Sequence, residues 1–127
     1  MLELHDVPGE HVAMVRLPAY AKASDDGLAD VVFVAPFDCK LTAGTVYFQG
    51  TADVGAATNY FKFVTMKGTV PIGTVSLDSA KSFLTGVALF SGTTSMDAGD
   101  KIVVQYGTVG SGLDAPESIV VLKYKGA

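Results

Sequence analysis

Short apolar or alternating runs recur about every ten residues from Val31 to Lys125. The runs are Val31-Val32-Phe33-Val34, Thr45-Val46-Tyr47-Phe48, Tyr60-Phe61-Lys62-Phe63-Val64, Gly73-Thr74-Val75-Ser76-Leu77, Gly86-Val87-Ala88-Leu89-Phe90, Lys101-Ile102-Val103-Val104-Gln105-Tyr106 and Ile119-Val120-Val121-Leu122. Between them lie clusters of Gly, Asp, Asn, Ser and Pro, which reverse a chain at little cost. Strands separated by turns at such regular spacing predict an antiparallel sandwich or barrel.

The pattern also places local features. Residues 38–48 read as a long strand bent or bulged at Gly44, where a missing side chain permits the bend. Phe61 and Phe63 fall on one face of the next strand, with Tyr60, Lys62 and Val64 on the other. Pro71 sits at a strand start, where its missing N–H does least harm. Residues 50–59 and 92–100 read as loops, and 107–116 as a flexible hairpin connection. Asp78-Ser79-Ala80-Lys81-Ser82 is the one candidate helical turn of the body.

Residues 1–29 differ from the rest. Pro8-Gly9 and Pro18 interrupt the pattern, Ser24-Asp25-Asp26-Gly27 is a turn cluster, and only 11–17 reads as a strand. We expect an extended N-terminal arm over 1–29 whose strand is added to a sheet edge, or an ordinary first strand of the domain. The expected fold is all-β: a single-domain, antiparallel, jelly-roll-like β-sandwich of about eight strands over 30–127.

At 127 residues the chain suits one domain and one core. It is 49% hydrophobic with only 17% charged residues, yet no apolar run approaches the ~20 residues that span a bilayer. No membrane partner is expected. The apolar surplus must be buried in the fold or against a partner, which favours an oligomer. Net charge is −4, and the nine Lys and Arg are scattered, with only Lys123 and Lys125 close together. Nucleic acid is therefore not an expected partner, and the lysine pair reads as a solvated edge. The single Cys39 excludes an intrachain disulfide. The first residues lack the pattern of a secretory signal, so synthesis in a cytoplasm is expected.

Candidate chemistry is sparse. His5 and His11 both lie in the arm, poorly spaced for joint ligation, and read as arm surface with Asp6 and Glu10. Cys39 beside Lys40 lacks a base on a neighbouring strand and reads as a small buried hydrophobe. The run Gly107-Thr108-Val109-Gly110-Ser111-Gly112 continues into Leu113-Asp114, without the lysine of a phosphate loop. Asp25, Asp26 and Asp30, and the turn Asp97-Ala98-Gly99-Asp100, are oxygen-rich but lack calcium-loop spacing. With no Trp, a sugar platform would fall to Tyr20, Tyr47, Tyr60, Tyr106 or Tyr124. No catalytic residue, metal or cofactor is expected, and the protein is not expected to be an enzyme.

Four segments carry a family resemblance. They are residues 32–40 opening the body, the small-residue loop ending in Thr58-Asn59-Tyr60, the step from Met96 through Asp100 to Val104, and Val109-Gly110-Ser111-Gly112-Leu113-Asp114-Ala115-Pro116 before a last strand. Their order resembles that of the bacteriophage capsid decoration, or cement, proteins over roughly three-quarters of the chain. The resemblance implies a β-sandwich homotrimer on the outer capsid surface of a virion, with the major capsid protein as partner. Residues 1–29 match nothing in that pattern, and the link after Pro116 is short for it. Under this reading the arm supplies the capsid or inter-subunit contacts, through Leu2, Leu4, Val7, Val12, Met14, Leu17 and Tyr20. The rival expectations are a glycan-binding sandwich or a tail or fibre accessory for host attachment. A cupin-type enzyme would want clustered histidines on strands, and these are missing.

Overall fold

The computed structural model describes residues 9–49, 58–78 and 86–126. Among them the regular structure is all strand: β1 (Glu10–Leu17), β2 (Ala29–Val34), β3 (Cys39–Phe48), β4 (Tyr60–Lys67), β5 (Val70–Leu77), β6 (Val87–Ala88), β7 (Thr94–Met96), β8 (Lys101–Val109) and β9 (Ser118–Gly126). No helix there is long and apolar enough to cross a membrane. The strands form two antiparallel sheets packed together as a β-sandwich. Sheet one runs β1-β9-β3-β6, with β7 also on β3, and sheet two runs β2-β8-β4-β5.

Alternation decides which side chains enter the space between the sheets. Val120 and Leu122 of β9, Phe61 and Phe63 of β4, and Ile102, Val104 and Tyr106 of β8 all point inward and are fully buried. Two bulges reset this parity. In β3 the register slips between Leu41 and Ala43, so Cys39 and Leu41 face the core before the slip and Gly44, Val46 and Phe48 after it. In β2 a slip between Val31 and Phe33 buries both Val32 and Phe33.

The expected bulge at Gly44 therefore lies two residues earlier, at Thr42. Gly44 serves packing instead: a Cβ there would fall 2.4 Å from the Phe90 ring. Gly73 is the counterpart in sheet two, where a Cβ would meet the Leu89 carbonyl oxygen at 2.4 Å and Phe90 Cβ at 2.6 Å. These two glycines let the 89–90 segment close the side of the sandwich between β3 and β5. That closure also explains the short β6, because Leu89 and Phe90 turn into the core instead of continuing the strand.

Two further expectations need correction. The loop over 92–100 contains β7, which pairs Cys39–Leu41. The 107–116 connection is not a hairpin, since it carries the chain from β8 in sheet two to β9 in sheet one. The strand expected over 11–17 is β1, which joins the edge of sheet one by pairing with β9 along its whole length, and Leu17 and Tyr20 are core residues. From Glu10 onward the supposed arm is part of the sandwich. The candidate turn at 78–82 and the loop at 50–59 fall largely outside the described residues.

Because Gly73 meets backbone as well as side chain, Gly73→Ala should lower stability by about 2 kcal/mol in urea denaturation. An unchanged midpoint would show that β5 can move aside.

Candidate functional site

The residues expected to carry contacts separate into three groups. Leu2, Leu4 and Val7 lie outside the described residues. Leu17 and Tyr20 are buried in the chain's own core and so offer no surface for a contact. Tyr20 forms a two-bond bridge with Ala115, each backbone N–H donating to the other's carbonyl at 2.9 Å. Its ring stacks on Tyr106 at 5.1 Å and 7°, and its hydroxyl donates to Asp30. Tyr106 in turn donates its hydroxyl to the Leu113 carbonyl.

The acidic turn residues knit the same end of the fold. Asp25 accepts the Ala21 N–H, Asp26 the Thr108 N–H at 2.9 Å, and Asp114 the Lys22 N–H at 2.7 Å. Each carboxylate thus takes up a backbone donor, and Asp26 and Asp114 tie together segments far apart in the chain. Asp97 and Asp100 form a tight turn of their own, with the Asp97 N–H donating to the Asp100 carboxylate.

His11 corrects the arm-surface expectation. It faces inward from β1 and stacks on Tyr124 at 5.2 Å, with Phe37 edge-on at 5.9 Å. Cys39 is buried as expected, and burial, reinforced by Asp38 and Asp100, raises its thiol pKa. That direction is opposite to what an attacking thiolate needs. An open groove of about 580 Å³ runs between β5 and residues 88–91, lined by Ile72, Thr74, Ser76, Asp78 and Phe90 among others. Asp78 is the one ionisable group among its described lining residues.

Val12 and Met14, the other expected contacts, are exposed at 56% and 67%. They belong to a larger surface, because cross-strand partners share a face. On the outer face of sheet one, Met14 lies beside Val121 and Thr45, Arg16 beside Ile119 and Tyr47, and Val12 beside Lys123 and Ala43. Tyr47 is 48% exposed, the most exposed tyrosine among the described residues. The last row joins Glu10, Lys125 and Lys40.

Sheet two has an apolar outer face as well. Val31, Val103, Met66 and Pro71 form a row across all four strands, followed by Ala29, Gln105, Val64 and Thr74. Val34 and Val70 are exposed at its margin, Val70 at 63%. Both outer faces of the sandwich thus carry apolar side chains at their centres, where a solitary antiparallel sandwich would usually place polar ones.

Most of these outward residues were missed in the sequence, although a signal for them was present. Val31–Val34, Ile102–Val104 and Ile119–Leu122 are unbroken apolar runs rather than alternating ones. A strand written that way is apolar on both faces, so its outer face needs a cover. No protein-family profile matches the chain, and no curated protein sequence does either.

Burial, helped by Asp114, Asp26 and Asp25, pushes the Tyr106 phenol up to about 12, and burial with Asp30 raises that of Tyr20 further. A phenol raised in the folded state contributes fully below the unfolded value of 10.0 and loses that contribution as pH climbs toward the folded one. Stability should hold to about pH 10 and fall steeply toward pH 12. The Tyr20→Phe/Tyr106→Phe variant should lose about 2 kcal/mol at neutral pH and show a flatter alkaline limb. Parallel limbs for the two proteins would contradict this.

Proposed function

We propose that the protein is a capsid decoration protein: a homotrimer that binds the outer surface of a phage head, contacts the major capsid protein and stabilises the shell. The observation that carries this reading is the pair of apolar outer faces, one on each sheet. A subunit that must touch its own copies and a lattice needs two separate surfaces to cover. The order of segments resembling cement proteins points the same way.

The physical requirements of such a role are modest and match the chain. It asks for a rigid fold and repeated contacts, not for reactive groups. A specific interface buries about 800 Å² on each partner. Trimerisation makes the second and third contacts to a lattice effectively intramolecular, so weak individual sites yield a stable coat. Whatever binds the assembled shell and not its free subunits shifts the shell away from dissociation. A glycan-binding role would lean on exposed aromatics, and among the described residues Tyr47, about half exposed, is the one exposed tyrosine available.

Light scattering on the purified protein should give the mass of a trimer. The protein should co-sediment with heads assembled from the major capsid protein of the same genome, and should raise their dissociation temperature. A monomer that leaves head stability unchanged would remove this reading.

A further inference from the structure

The outer face of sheet one differs from that of sheet two in charge. Arg16, Lys40, Lys123 and Lys125 bring four of the nine basic residues to it, with Glu10 the one carboxylate its strands contribute. Lys40 and Lys125 stand directly opposite one another on β3 and β9, and Lys123 follows two residues along the same face. Like charges in register destabilise a sheet. The one carboxylate beside them among the described residues, Glu10, accepts a hydrogen bond from the Thr42 hydroxyl at 2.7 Å. Among the described residues the ion pairs are Arg16 with Glu117, at the opposite end of this face, and Lys67 with Asp100, and neither involves the three lysines. A chain of net charge −4 thus concentrates unpaired positive charge beside the apolar centre formed by Val12, Met14 and Val121.

We infer that the outer face of sheet one docks an acidic protein surface, with Lys40, Lys123 and Lys125 meeting carboxylates of the partner around an apolar centre. The inference rests on the decoration reading and deepens it, naming the shell-facing side and the chemistry of the shell at that point. Symmetry supports the assignment. In a closed ring of three, residues near the axis meet their own copies, and a lysine cluster placed there would face more lysines. The Val31, Val103, Met66 and Pro71 row of sheet two carries no such cluster and suits contact between copies. Charges at the rim of the sheet-one contact would act mainly on encounter rate and partner choice.

The test uses the full chain and heads assembled from the major capsid protein of the same genome. Wild-type affinity in co-sedimentation should fall about tenfold between 50 and 300 mM NaCl, as exposed charge pairs are screened. The K40E/K123E/K125E variant should bind at least about thirtyfold more weakly at the lower salt, while retaining the wild-type mass in light scattering and urea midpoint. Should charge reversal impair folding, K40Q/K123Q/K125Q removes the charge without adding repulsion, and it should bind with little salt dependence. Wild-type affinity in a folded variant would overturn the inference and leave the decoration reading standing. So would loss of the oligomer, because the face would then be a contact between copies. Retention of DNA in place of heads would overturn it too. Wild-type protein that binds no heads at either salt would defeat the decoration reading itself.

Discussion

Each strand of a two-layer sandwich commits one of its faces to the core, and whatever lies on the other must be answered by water or by another molecule. Everything distinctive in this protein follows from how it uses that second face. Strands β2, β8 and β9 carry apolar residues on both sides, so the inward set closes the core and the outward set remains unmatched. The core is complete without the outward residues. Leu41, Val46, Phe61, Phe63, Ile102, Val104, Val120 and Leu122 are sealed between the sheets. Val12, Met14, Tyr47, Val31 and Val70 add nothing to that seal.

The fold fixes these outward faces at one end and along one side. At one end Tyr20, Tyr106 and the aspartates of the 25–30 and 114 turns bind the chain before β2 to the link between β8 and β9. At one side, Gly44 and Gly73 admit the 89–90 segment so closely that any side chain would collide with it. Preformed surfaces bind without first being ordered, which lowers the entropic cost of any association.

The alternation and turn spacing made the fold class legible, because a period of two and a turn every ten residues admit few alternatives. Register and sheet membership were not legible, because they are settled by residues far apart in the chain. Thr42 rather than Gly44 carries the bulge, since the glycine is needed to accommodate Phe90. β7 went unseen because Thr94-Ser95-Met96 has little strand signature of its own and exists through pairing with Cys39–Leu41. Of the expected contact residues, Val12 and Met14 lie on an outer face, while Leu17 and Tyr20, equally apolar in sequence, were drawn into the core. Their difference arises from strand parity at β1 and from the Ala115 bridge, neither of which composition reveals. The lysine cluster was half visible: Lys123 and Lys125 share a face by spacing, but Lys40 joins them only through the pairing of β3 with β9.

The most direct test is a reconstruction of the phage head at side-chain resolution. The account predicts three copies of this chain around each attachment point, the Val31–Val103–Met66–Pro71 row turned toward neighbouring copies and the Lys40–Lys123–Lys125 face set against acidic residues of the shell. Density for the chain with both outer faces open to solvent, or heads with no such density at all, would contradict it.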